Sequence, residues 1–220
     1  MFIHADKESV ADSIAFKFKT LGCSVTTKCY SISTLAESNL SEEATYNAIF
    51  AIGCTHSETL DIVKVSYVPV INVISSKHNP IHVLADIFPI YEKRDFKFKD
   101  VNFCWHGNSD NSAHSWLEAA RVFGFNLTLV PASTMYPDPK IFASCKQGSR
   151  GRITLCKAFS DAKDSDVVIN DTLPHDSNRC SMSRKIGGRN SKGRYSSDDI
   201  SDFWDNELCI LMAVMIWIQE

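Results

Sequence analysis

Hydrophobic and polar positions trade between two periods along the chain. Within Glu8 to Leu21, residues Val10, Ala11, Ile14, Phe18 and Leu21 recur at helical spacing, and Gly22 follows as a stop. Short apolar runs with strand character lie at Met1 to Ile3, Cys23 to Thr27, Ala48 to Ile52 and Val68 to Val73. Between the last two runs, Ser57 to Val65 is amphipathic at helical spacing. His78 to Glu92 is helical in pattern, with Asn79-Pro80 suited to its start. Ser31 to Asn39 reads as a polar connection, and Ser41 with Glu42 and Glu43 suits a helix start before Ala44 to Tyr46. Strand and helix alternate roughly every 25 residues, which predicts a parallel sheet with helices on both faces.

The same rhythm restarts at Asp100. Val101 to Trp105 is a short apolar strand, His106 to Asn111 a polar turn, and Ser112 to Phe123 a helix stopped by Gly124. Phe125 to Val130 is the next strand, and the whole forms a βαβ unit. In such a unit the turn after the first strand lies at the carboxyl end of the sheet, where open parallel sheets bind ligands. Pro139 to Gln147 then predicts a helix, Arg152 to Cys156 a strand, Ala158 to Lys163 a short helix and Asp166 to Asn170 a strand. After Asp171 the pattern stops. Asn178 to Ser197 carries six basic residues among Ser and Gly without an apolar period, and reads as a mobile loop. Asp205 to Gln219 is an apolar helix.

Several segments resemble the ornithine carbamoyltransferase family. GNSDNSAHSWLEAARVFGFNLTLVPASTMYPDP is similar to its GDGNN-x-x-HS helix and YEPD turn, and VPVINVISSKHNPIHVLAD to its VPIING-LSD-x-x-HP-[CI]-Q-x-LAD segment. DVVINDTL resembles the DVV-x-TD-x-W strand, NELCILMAVM the ENR-x-x-x-x-MAVM helix, and the first 22 residues the segment around S-T-R-T-R. The likeness covers Met1 to about Asp171 and then the last fifteen residues. It implies an α/β fold of two Rossmann-like parallel-sheet domains, the second incomplete, with the C-terminal helix packing back on the first. The expected boundaries are 1–94 for a carbamoyl-phosphate-like domain, 95–204 for a shortened ornithine-like domain with a loop over 178–204, and 205–220 for the returning helix. The family's reaction transfers the carbamoyl group of carbamoyl phosphate to ornithine, giving citrulline and phosphate, in arginine biosynthesis and the urea cycle. The resemblance further implies a homotrimer and no metal or organic cofactor.

Residue by residue, the two substrate sides differ. On the S-T-R-T-R positions stand Lys7, Glu8, Ser9, Val10 and Ala11, so both arginines are gone and a carboxylate faces the expected phosphate position. Lys7 and the first-turn backbone N–H groups are what remain to hold an anion. In the H-P-[CI]-Q motif the His is Asn79 and the Gln is His82, either of which could still donate a hydrogen bond. The arginine of ENR is Glu207, and the H-C-L-P segment is absent. On the amino-acid side, Asn111 falls on the second Asn of GDGNN, His114 and Ser115 on HS, and Asp171 and Thr172 on the TD of the strand motif. The next positions are His175, Asp176 and Ser177 in place of S-M-G. For Asn111 the plain alternative is a helix N-terminal cap, and for Asp171 an Asx turn.

Loss of one preorganised oxyanion donor alone costs ~10² to 10³ in rate. The replacements therefore imply that catalysis is lost or strongly impaired. The alternatives are a non-catalytic paralogue that binds an amino acid or docks on another subunit, and a degenerate splice product. An ornithine-like amino acid is thus a possible ligand, and carbamoyl phosphate a doubtful one.

Composition narrows the partners. The chain has 220 residues, 44% of them hydrophobic, and a net charge of −3, which gives no general reason to expect nucleic acid or a membrane. The basic stretch Arg179 to Arg194 has only Tyr195 as a neighbouring aromatic and is followed by acidic residues, so it lacks stacking platforms for nucleic acid. Leu208 to Ile218 is too short to span a bilayer, which needs about 20 residues. Eight scattered cysteines without CxxC or zinc-type spacing read as reduced, buried thiols. They point to a reducing intracellular compartment: cytoplasmic as the chain stands, or the mitochondrial matrix if the natural start lies upstream.

Overall fold

The computed structural model describes residues 2–4, 8–29, 46–93, 98, 101–107, 110–132, 136–162, 165–171, 185–188 and 203–219. The chain divides into two compact units: Met1–His82 with Trp204–Glu220, and Val83–Phe203.

The first unit holds β1 (Phe2–His4), α1 (Glu8–Thr20), β2 (Thr27–Cys29), β3 (Ile49–Cys54), α2 (His56–Val65) and β4 (Val70–Ser75). It also holds the first turn of α3 (Pro80–Lys93) and most of the C-terminal helix α6 (Phe203–Trp217). Its four strands run parallel in the order β2-β1-β3-β4. Side chains alternate across β3 from Ile49 to Ile52, as the two-residue period of a strand requires, and the register shift between Ile52 and Cys54, with Gly53 at φ 71°, turns Cys54 to the face of Ile49 and Ala51. Phe50 and Ile52 pack with Ala11, Ile14, Ala15 and Phe18 of α1 and Leu211 of α6, whereas Ile49, Ala51 and Cys54 meet Ile62 of α2. Covering both faces is why AIFAI is apolar throughout.

The second unit contains the rest of α3, then β5 (Asn102–Gly107), α4 (Asp110–Phe123), β6 (Asn126–Pro131), α5 (Pro139–Gly148), β7 (Ile153–Leu155), a 3-10 turn (Phe159–Ala162), β8 (Val167–Asp171) and β9 (Lys185–Gly188). The sheet order is β7-β6-β5-β8-β9, parallel except for β9, which runs antiparallel to β8. Phe103, Trp116 and Phe125 form an aromatic cluster, with the Phe103 and Phe125 rings 4.4 Å apart. Val83, Ile87 and Ile90 of α3 join that core, while Ile81 belongs to the first. The two compact units meet at His82/Val83, inside α3.

Two expectations change. The strand read at Cys23 to Thr27 begins only at Thr27, where register with Phe2 of β1 sets it. The stretch read as a loop over 178–204 contains β9, whose ladder to β8 uses backbone groups and needs no apolar period. The connection at Ser31 to Asn39 and the helix start at Ser41 lie outside the described residues.

Candidate functional site

In the second unit the chain leaves β5 for α4 and reaches β6 on one side, then returns as β8 on the other. The carboxyl ends of β5 and β8 thus flank a topological switch point, the usual ligand position of an open parallel sheet. Gly107 ends β5 and is paired with Asp171, which ends β8. A Cβ at Gly107 would lie 2.6 Å from the Trp105 ring and 2.7 Å from the Asp171 Cβ, so only glycine allows this approach. Its carbonyl accepts the N–H of Ala132 (2.9 Å), which ties in the end of β6.

Asn111 lies in the first turn of α4, one residue after its start at Asp110, and is half-buried. Its carbonyl accepts the Ser115 hydroxyl at 2.9 Å. His114, 5% exposed, accepts the backbone N–H of Asp138 on Nε2 (2.8 Å). That contact leaves the proton of a neutral ring on Nδ1. Asp138 in turn caps α5 by accepting the N–H of Lys140 (2.8 Å). His114 therefore connects the start of α4 to the turn before α5. On the opposite face of β5, the His106 ring bonds the Val130 carbonyl through Nδ1 at 2.8 Å. Asn111 and Asp171 thus share one end of one sheet, both half-buried, and Thr172 lies outside the described residues.

The corresponding end of the first sheet is built differently. Thr55 and Glu58 form a capping box at the start of α2, with contacts of 3.2 and 2.7 Å. The buried Ser75 hydroxyl accepts the N–H of His78 (3.1 Å), and the Ser75 N–H donates to the His78 carbonyl (2.7 Å). This closes the turn that delivers Asn79 and Pro80 to α3. Asn79 and His82 are each 4% exposed. His82 Nδ1 lies 2.6 Å from Oε1 of Glu207 on α6. Lys7 lies outside the described residues.

Sequence reasoning flagged His82 and Glu207 separately, as departures from two motifs. That they meet was not legible, because 125 residues separate them. The close packing at Gly107 and the tie from His114 to Asp138 were missed as well. The available signals were the one glycine kept from the GDG positions and the match to the HS pair.

Three buried thiols are held in the protonated, poorly nucleophilic form. Burial, then the nearby Glu58, pushes the Cys54 thiol up to about 11, and burial, then Cys156, does the same for Cys104. Burial also raises Cys145. All six cysteines whose side chains are described are free. Among the described residues no cluster of three or more His, Cys, Asp or Glu could hold a metal. No helix among them is long and apolar enough to cross a membrane.

No family model matches the chain. The ornithine carbamoyltransferase of Pelobacter propionicus is 34% identical over 103 residues, 47% of this chain and 33% of that protein. The anabolic enzyme of Campylobacter jejuni is 33% identical over 121 residues, 53% of this chain and 40% of that one. The matches thus span between a third and two-fifths of these relatives' length. Among solved structures, the Campylobacter jejuni anabolic ornithine carbamoyltransferase aligns with a TM-score of 0.78 at 18% identity, covering 99% of this chain and 86% of that one. The Pyrococcus furiosus enzyme aligns at 0.70 and 24%, covering 81% and 60%. The fold is that of these structures, and the chain is ornithine carbamoyltransferase-like.

Proposed function

We propose that this ornithine carbamoyltransferase-like protein binds an ornithine-like amino acid through its second unit and does not transfer a carbamoyl group. The binding half rests on the chemistry of an amino-acid zwitterion. The N-terminal turn of α4 favours its carboxylate, the Asn111 amide can donate to that group, and Asp171 supplies a counter-charge for an ammonium.

The observation that carries the other half is the His82–Glu207 pair. Phosphate needs a helix start with cations. Here the position of the motif's Gln is a buried His82 engaged at 2.6 Å by a carboxylate that stands where the motif has Arg. A second negative group brought to that place meets like charge. The residues left, Asn79 and His82, are 4% exposed, so neither can polarise a carbonyl without first leaving its packing. Two packed cores favour a folded protein over a degenerate product, and a single cooperative thermal transition would agree with that. Reduced thiols are consistent with a reducing intracellular compartment.

The test is citrulline formation by the purified protein, with separate calorimetric titrations of ornithine and carbamoyl phosphate. The expected result is no turnover, no carbamoyl-phosphate binding, and ornithine binding that weakens about 10- to 100-fold in Asp171→Ala, the cost of a charged hydrogen bond. Turnover that disappears in Asp171→Ala, or micromolar affinity for carbamoyl phosphate, would overturn the proposal.

A further inference from the structure

We propose that the His82–Glu207 pair sets the register of the C-terminal helix α6 within the first unit. This inference does not rest on the ligand reading above, since it concerns what holds α6 and not what the sheets bind.

The chain returns to the first unit only after the whole second unit, so α6 must find its place without a short loop to guide it. Its contacts with α1 offer little direction. Leu208, Ile210, Leu211, Met212, Met215 and Ile218 meet the apolar side of α1 and β3. Apolar packing is non-directional, and Leu, Ile and Met are close enough in size to exchange places when a helix slides or turns by one residue. Methionine in particular fills irregular gaps without specifying them. Nor does the outer surface choose an orientation, because α6 is apolar on most sides: Ile216 is 60% exposed and Trp217 74%. A helix of this kind has several rotations of similar energy.

The His82–Glu207 contact separates those rotations. Glu207 is the fifth residue of α6 and His82 the third of α3, at side-chain exposures of 16% and 5%. Glu207, Leu208 and Leu211 face Ser13, Ile14 and Lys17 of α1 across a shallow depression. Sliding or rotating α6 by one position would take the Glu207 carboxylate away from the buried His82 ring and break this directional contact. A buried histidine–carboxylate contact contributes little net stability, because desolvation offsets attraction, but a single buried polar contact can fix register. Its role here is therefore specificity of docking.

Hydrogen exchange of the α6 amides, read by mass spectrometry on the full chain beside the melting temperature, tests this through two double variants. In His82→Leu/Glu207→Leu the seam becomes apolar, and the melting temperature is expected to match or exceed that of the parent. The α6 amides should nevertheless exchange about tenfold faster or more, because the helix samples several positions. In His82→Glu/Glu207→His the pair is reversed in place, and slow exchange should return. Slow exchange in the apolar variant overturns the proposal whatever its melting temperature. Fast exchange in both variants overturns it too, since the loss then belongs to packing and not to the directional contact.

Discussion

The two sheets end alike and use their ends differently. Each has a strand followed by a polar turn and a helix at a position where parallel sheets bind ligands. In the first unit the described polar groups at the turns into α2 and α3 serve the fold. Thr55 and Glu58 cap α2, Ser75 closes the turn into α3, and His82 holds Glu207. Asn79 and His82 are buried as a result. In the second unit Asn111 and Asp171 stay half-buried, and the packing effort falls on Gly107 and His114 behind them. A polar residue that meets a solute must keep some access to water, whereas one that builds structure gains by losing it. Under the proposed function, the contrast separates a sheet end left open to a ligand from one given over to scaffold.

The strongest way to break the contrast is to fill the gap at Gly107. Gly107→Val would drive a branched side chain into the Trp105 ring and the Asp171 Cβ, both closer than 3.0 Å to the first added atom. The cost of such overpacking is about 1–3 kcal/mol or more. Asp171 must move, so ornithine binding should be lost together with several degrees of melting temperature. If Gly107→Val melts normally and still binds ornithine, the approach of β5 to β8 does not shape the site.

How much of this was legible depended on sequence distance. The helix from Asp110 to Phe123 was expected to begin at Ser112 because its apolar face and the stop at Gly124 are local signals. Asn111 and Asp171 were singled out because each sits in a motif a few residues long. What could not be read were the partners. His82 and Glu207 belong to motifs far apart, and each substitution alone looks like the loss of a ligand contact. Together they form one new contact. The strand Lys185–Gly188 escaped for a different reason: two of its four residues are glycine, and its pairing is made by backbone atoms that any residue supplies. The start of β2 also shifted, because strand limits are set by the neighbouring strand more than by the residues themselves.

A smaller effect tests whether the two units, unlike at their sheet ends, are alike in their cores. Cys54 lies in the first and Cys104 in the second, and each thiol is held near 11 from an ordinary 9.0. Below pH 9.0 both are protonated in folded and unfolded chains, so they leave stability unchanged. Between 9.0 and about 11 the unfolded chain releases a proton that the folded chain keeps, and stability falls as pH rises. The slope is about 1.4 kcal/mol per pH unit for each thiol. Urea unfolding at several pH values from 8 to 10.5 should show it, and Cys104→Ala and Cys54→Ala should each remove a similar share. An unchanged slope in either variant would mean that its thiol is not sealed from water in that unit.

The mildest expected change bears most directly on the first unit as scaffold. Thr55 accepts the N–H of Glu58, and Glu58 accepts the N–H of Thr55, so Thr55→Ala removes one half of a reciprocal cap and loosens the other. Loss of such a cap costs about 1 kcal/mol. It should lower the melting temperature by a few degrees, because about 1 kcal/mol shifts a chain of this size by roughly 2–4 °C. If the polar groups at this sheet end are structural, ornithine affinity measured by calorimetry should match that of the parent once the protein is kept below its transition. A variant that melts normally but loses ornithine affinity would move the ligand to the first unit. Asn111 and Asp171 would then be the scaffold, and the roles of the two sheet ends would be reversed.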